Sequence, residues 1–175
     1  MNKNDIVTLE ITDVAADGAG IGRYEGLAVF VPHTAPGDTI RAKIVKIKSS
    51  YAFGIPLEIL APSIDRTEND CPYFFKCGGC VFRHINYNSE LKIKQNRVAQ
   101  ALKRIAGVEI PCGGIVGSDL QNAYRNKAQL PFDSLKNTGF FAPRSHRVIP
   151  IETCALLPDV LNRIARFLVS STCCF

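Results

Sequence analysis

A chain of 175 residues with 46% hydrophobic composition has enough apolar material for at least one buried core and room for two small domains, which excludes a disordered protein. No basic leader with an apolar stretch behind it opens the chain, and no apolar run approaches bilayer-spanning length, so the expected setting is cytoplasmic, without a membrane partner. The net charge of +5 suggests a polyanionic partner only weakly, so the placement of the cations matters more than their sum.

Residues 6–14 alternate, with Val7, Leu9 and Ile11 on one face and Thr8, Glu10 and Thr12 on the other, which predicts a half-buried strand. The run Gly18-Ala19-Gly20-Ile21-Gly22 has the wrong spacing for a dinucleotide-binding loop and leads into the apolar stretch 27–31 rather than a helix. It reads as a hairpin or barrel corner. After a turn at Pro36-Gly37-Asp38, Arg41, Lys43, Lys46 and Lys48 share one face of residues 39–48 only if an extra residue sits at Ile44-Val45, which predicts a β-bulge. Ile40, Ala42, Ile44, Val45 and Ile47 then point inward. The outer row of cations reads either as a phosphate-binding surface or as an ordinary solvated face. Residues 51–60 form a last strand, interrupted at Gly54 and Pro56, which suggests an edge or a bend. Five short strands separated by turns fit a small closed or nearly closed barrel of the oligonucleotide-binding kind.

The series Gly18-x-Gly20-Ile21-Gly22-Arg23, then Val29-Phe30-Val31-Pro32, then Pro36-Gly37-Asp38, ending near Pro62-Ser63, resembles the TRAM domain. The likeness covers nearly all of residues 5–63 and implies an RNA-binding barrel of the kind carried by RNA-modifying enzymes.

Seven cysteines in a reducing compartment are weighed first as metal ligands or reactive thiols. Cys71-Pro-Tyr-Phe-Phe-Lys-Cys77-Gly-Gly-Cys80 places three thiols within ten residues, on a backbone bent by Pro72 and Gly78-Gly79. Soft thiolates suit zinc or an iron–sulfur cluster, and either site calls for a fourth ligand from Cys112, Cys154, Cys173 or Cys174, with His84 a further option for zinc. Spacing alone leaves the two metals open.

The cysteine loop, followed by His84, Tyr87, Leu91 and Lys94, is similar to that of the 23S rRNA (uracil-5-)-methyltransferase family. The resemblance implies a [4Fe-4S] cluster held by Cys71, Cys77 and Cys80, with Cys154 as fourth ligand in the segment Arg144-Ser145-His146-Arg147-Val148-Ile149-Pro150-Ile151-Glu152-Thr153-Cys154. Arg83 stands where family members often carry Gln. Cys112, Cys173 and Cys174 receive no role.

Residues 88–106 change to helical period, with Leu91, Val98, Leu102 and Ile105 on one side and Lys92, Lys94, Arg97, Lys103 and Arg104 elsewhere. Asn88 or Ser89 is the expected cap, with Glu90 in the first turn and Gly107 as the stop. Residues 124–132 and 138–142 read as paired strands around a turn at Asp133-Ser134 and Lys136-Asn137, with 148–151 as a third. Tyr124-Arg125-Asn126-Lys127 resembles a motif on the RNA-facing side of the same enzymes, which implies phosphate contacts from Arg125 and Lys127 and a base contact or loop-ordering role for Asn126. A final helix is expected to begin near Pro158-Asp159 and run through Leu161, Ile164, Ala165 and Leu168.

The expected fold is mainly β with some α: a TRAM barrel of the oligonucleotide-binding type over 1–63, an iron–sulfur loop over 64–90 and a partial central α+β domain over 91–175. The expected function is the RNA-recognition and cluster portion of an S-adenosylmethionine-dependent RNA methyltransferase with a ribosomal RNA partner and no obligate protein partner. The domain that would bind S-adenosylmethionine and transfer the methyl group is expected to be missing, so whether this chain is itself an enzyme stays open. A stand-alone TRAM RNA-binding protein and an iron–sulfur redox protein are the alternatives.

Overall fold

The computed structural model describes residues 1–111 and 113–172, so Cys112, Cys173 and Cys174 lie outside the described residues. The chain divides into two compact units, Met1–Glu68 with Val81–Val116 and Asn69–Cys80 with Gly117–Phe175.

In the first unit, β1 (Ile6–Val14), β2 (Gly20–Tyr24), β3 (Leu27–Val31), β4 (Thr39–Ile47) and β5 (Tyr51–Ala61) close a barrel in the order β1-β2-β3-β5-β4. β3 and β5 run parallel and the other pairs antiparallel. The alternation of β1 delivers Val7, Leu9 and Ile11 to a core shared with Val29, Val31, Ile40, Ala42, Ile44 and Ala52. Each larger aliphatic side chain buried there contributes about 1.5–3 kcal/mol.

The ladder confirms the bulge: Ile44 pairs with Gly54 and Lys46 with Phe53, leaving Val45 as the extra residue. Two of the side chains expected inside fall short of it. Val45 is half-buried, and Ile47, opposite buried Ala52 near the end of β4, is 37% exposed. The interruption in β5 also has its reason. Pairing with β3 spans Tyr51 to Phe53, while pairing with β4 continues to Ala61, so Pro56 lies past the stretch where β3 would call on its missing N–H. Gly20 and Gly22 are required by close strand approach: a Cβ on Gly22 would stand 2.6 Å from the Glu10 carbonyl oxygen, and one on Gly20 would collide with Thr34 Oγ1.

A buried carboxylate ties the segment after the barrel to the turn between β3 and β4. Asp38 accepts from the amides of Ala35 (2.6 Å) and Ser63 (2.9 Å) and, in a two-pronged pair, from Arg66 Nε (2.8 Å) and Nη2 (2.7 Å). Burial alone would raise its pKa, but the Arg66 hydrogen bonds and the two amides more than offset this and hold the carboxyl below the usual value. Buried His84 lies beside the same turn and donates from Nε2 to the Thr34 carbonyl at 3.2 Å, an oxygen that can only accept.

Helix α1 (Tyr87–Ala101) runs on into one π-type turn over Leu102–Ala106 and stops at Gly107, whose φ of 67° is the left-handed conformation a helix terminus uses. Its cap is Asn86, not Asn88 or Ser89: Asn86 Oδ1 accepts from the Ser89 amide at 3.0 Å, while Ser89 Oγ donates to Asp65 at 2.6 Å. The expected apolar stripe is largely unburied, with Val98 54% and Ile105 87% exposed.

In the second unit, β6 (Gly139–Phe141) and β7 (Val148–Pro150) form a hairpin, and α2 (Asp159–Thr172) follows. Residues 124–131 are not a strand of this sheet, and Phe132 makes a single bridge to Thr138. Instead the amides of Ala123 and Arg125 donate to the carbonyls of Ala155 and Leu156 at 2.8 and 3.0 Å, so the segment lies along the loop after Cys154. α2 begins where expected; along it Ile164 and Leu168 are 48% and 46% exposed, while Asn162 is buried.

Candidate functional site

The second unit contains a pocket with about 370 Å³ of empty space, counted to its open mouth, and Cys71, Cys77, Cys80 and Cys154 all line it. All four are half-buried. Phe74, Phe140, Ile151 and Leu156 supply apolar wall, and Arg125 is the cation among the lining residues.

Local geometry explains how the thiols meet. The loop from Cys71 to Cys80 turns tightly, with the amides of Lys76 and Cys77 both donating to the Tyr73 carbonyl, and Gly78 donating to Phe141 at 2.9 Å. That approach needs glycine, because a Cβ on Gly78 would sit 2.9 Å from the Phe141 carbonyl oxygen. The Gly79 amide points at Cys77 Sγ, 3.3 Å away, and the Glu152 amide donates to the Tyr73 hydroxyl at 3.3 Å, fastening the loop to the chain just before Cys154.

Cys154 is gripped from α2. Asn162 Oδ1 accepts from the Cys154 amide at 2.8 Å, and Asn162 Nδ2 donates to the carbonyls of Cys154 and Leu157, each at 3.1 Å. No motif marks Asn162 in the sequence; the only signal is a polar residue one position after Leu161 on a helix face that turns out to be packed.

Burial, first, and the nearby sulfurs of Cys71 and Cys154 push the Cys77 thiol upward, while the Gly79 amide and Arg125 pull it down. Arg125 lies 5.9 Å over the Phe140 ring. Arg125, an expected RNA contact, also lines the cysteine pocket. Asn126 and Lys127, its neighbours, are exposed.

Four soft sulfur donors around one apolar-walled pocket suit a thiolate-held metal group. Among the described residues no group of three or more His, Cys, Asp or Glu side chains is drawn close enough to hold a single metal ion.

On the barrel, Arg41, Lys43 and Lys46 occupy outward positions of β4, with exposed Lys48 just beyond it. Arg41 is partly committed, with Nη1 3.2 Å from Glu58 Oε2. Lys46 and Lys48 are the more accessible pair.

Residues 2–57 match the TRAM domain. Over 170 residues the chain is 37% identical to a protein of Halalkalibacterium halodurans named as an uncharacterized RNA methyltransferase, an alignment covering 95% of this chain and 37% of that relative. A Synechocystis protein of the same description is 38% identical over 165 residues, covering 91% and 36%. The chain thus spans little more than a third of the length of these relatives. A solved structure of Pyrococcus abyssi tRNA (uracil-54, C5)-methyltransferase in complex with S-adenosyl-L-homocysteine shares the fold, with a TM-score of 0.59 at 23% identity over 94% of this chain and 37% of that one. No helix among the described residues is long and apolar enough to cross a membrane.

Proposed function

We propose that these residues are the RNA-recognition and iron–sulfur portion of an S-adenosylmethionine-dependent RNA (uracil-5-)-methyltransferase acting on 23S rRNA in the cytoplasm, with methyl transfer carried by sequence outside them. The observation that carries this reading is the convergence of Cys71, Cys77, Cys80 and Cys154 on one pocket, in a chain whose residues 2–57 match TRAM.

Under this reading the four thiolates hold a [4Fe-4S] cluster. Four soft thiolate donors suit an iron–sulfur cluster as they suit zinc, and the likeness of the Cys71–Cys80 loop to that of the uracil-5-methyltransferases favours the cluster. Arg125 sits beside the net negative charge that four thiolates bring. The cluster's part is structural: it links the loop of Cys71, Cys77 and Cys80 to the chain around Cys154, so binding it contributes folding energy to the second unit. RNA is gripped by Arg41, Lys43, Lys46 and Lys48 on the barrel, with Arg125, Asn126 and Lys127 in the second unit. S-adenosylmethionine would supply the methyl group, and no residue of this chain is assigned to its site. The solved neighbour is a tRNA methyltransferase, so the ribosomal target is tested against tRNA.

The test is binding of anaerobically prepared protein to a 23S rRNA fragment and to tRNA over a range of salt. Neutralising three or four phosphates predicts a log K against log salt slope of about −2 to −4. The expected preference is for the ribosomal fragment. A preference for tRNA would reassign the target, and binding to neither would remove RNA recognition from the reading.

A further inference from the structure

The barrel's outer face carries three aromatic rings that neither its core nor the cysteine pocket uses. Phe30 on β3 and Tyr51 and Phe53 on β5 are distant in sequence, but the parallel pairing of β3 with β5 sets Phe30 opposite Phe53 and Ala28 opposite Tyr51. Their strand neighbours Val29, Val31, Ala52 and Gly54 are buried, so the rings point away from the core, and all three are half-buried. The ring centroids stand 5.4 to 5.8 Å apart, at interplanar angles of 84°, 87° and 40°. None of the three pairs is a face-to-face sandwich.

Cations frame these rings. Reading across paired strands, one row runs Ile21, Phe30, Phe53, Lys46, and the next runs Arg23, Ala28, Tyr51, with the Lys48 amide donating to the Tyr51 carbonyl at 2.8 Å. Lys46 and Lys48 therefore border the rings on the β4 side and Arg23 on the β2 side, and all three are exposed. Glu25, just past β2, pairs with the N-terminal amine at 3.1 Å.

We propose that Phe30, Tyr51 and Phe53 form a stacking site for unpaired nucleobases, with Lys46, Lys48 and Arg23 holding the adjoining phosphates, so that the barrel selects single-stranded over duplex RNA. Stacking on an aromatic ring needs a base whose face is free, and a duplex hides those faces between neighbouring pairs. Cations alone would bind either form, because a phosphate is the same in both. The inference rests on the RNA-binding reading above and specifies which RNA and which surface.

The chain contains no tryptophan, so Phe53→Trp in the full chain installs one tryptophan on this face, excited apart from the five tyrosines at the red edge of the absorption band. Its fluorescence is expected to be quenched by a short unstructured RNA and left unchanged by a blunt duplex of the same strand length or by inorganic polyphosphate. In parallel, Phe30→Leu and Phe53→Leu, which keep an apolar side chain at an outward position, should weaken binding of the single strand by roughly 5- to 150-fold while leaving the salt slope unchanged. Lys46→Ala should instead shallow that slope by about one. Variants are compared only after their thermal transitions match that of the wild type. Quenching by polyphosphate equal to that by RNA, or leucine variants that bind the single strand as tightly as wild type, would overturn the stacking site while leaving RNA binding intact. A wild-type chain that binds no RNA would sink the underlying reading as well.

Discussion

Replacing Asn162 with alanine removes its three shorter side-chain hydrogen bonds at once, those to the Cys154 amide and to the carbonyls of Cys154 and Leu157, along with a long one to Pro158 at 3.5 Å. At about 1 kcal/mol net for each, local opening of the Cys154 loop should become easier by about 3 kcal/mol, or about 150-fold in its equilibrium. Solvent reaching the loop would soften that figure, because Cys154 is only half-buried. The consequence is chemical: Cys154 should be alkylated faster, by up to about two orders of magnitude, when opening and closing outpace the reagent. The assay is a time course with iodoacetamide on chelator-treated, metal-free protein, read peptide by peptide in the mass spectrometer, with Cys71 as internal reference. Asn162→Asp keeps the oxygen that receives the Cys154 amide and loses both donors, so it should fall between wild type and alanine. Equal Cys154 rates in wild type and Asn162→Ala would refute the claim that α2 positions this thiol.

Asp38→Ala leaves the Arg66 guanidinium and two amides without their buried partner, and should destabilise the barrel unit by about 3–5 kcal/mol in urea unfolding. Stability should also decline in acid in two stages. Burial, aided by Arg66, holds His33 and His84 below their ordinary value of 6.5, so the unfolded chain takes up their protons first and stability falls as pH drops through that value. Asp38, held below 3.8 in the folded state, contributes stability above that value that is lost as pH falls further; denaturant midpoints across pH check both stages. Gly78→Ala should disrupt the cysteine loop, because its Cβ would press on the Phe141 carbonyl, and faster alkylation of Cys77 would register it. Arg125→Leu removes a cation that favours the Cys77 thiolate, so the alkylation profile of Cys77 should move to higher pH.

Much of the barrel could be read from local pattern, because each strand exposes one face to water and one to the core. The period-two alternation of Val7, Leu9 and Ile11 marked β1, and the break in the spacing of Lys43 and Lys46 marked the bulge, since a one-residue slip would otherwise turn a cation inward. The second unit was less legible. Residues 124–131 carry strand-like alternation, yet their amides go to the loop at Ala155 and Leu156, and no local pattern announces a partner thirty residues away. The cap of α1 moved to Asn86 because Ser89 is used by Asp65, again a long-range choice. Asn162 and the rings of Phe30, Tyr51 and Phe53 were missed for the same reason: their meaning lies in what tertiary pairing sets beside them. The three clustered cysteines could be found because their spacing is local, whereas Cys154 reached the candidate site only through resemblance.

The account stands most directly on what the cysteine pocket holds, and chemical analysis of iron, zinc and acid-labile sulfide in anaerobically prepared protein measures that. The expected result is roughly four iron and four sulfide per chain, abolished by serine at Cys71, Cys77, Cys80 or Cys154 and retained with serine at Cys112. One zinc per chain with no sulfide, or a cluster that survives Cys154→Ser and is lost with Cys112→Ser, would contradict it.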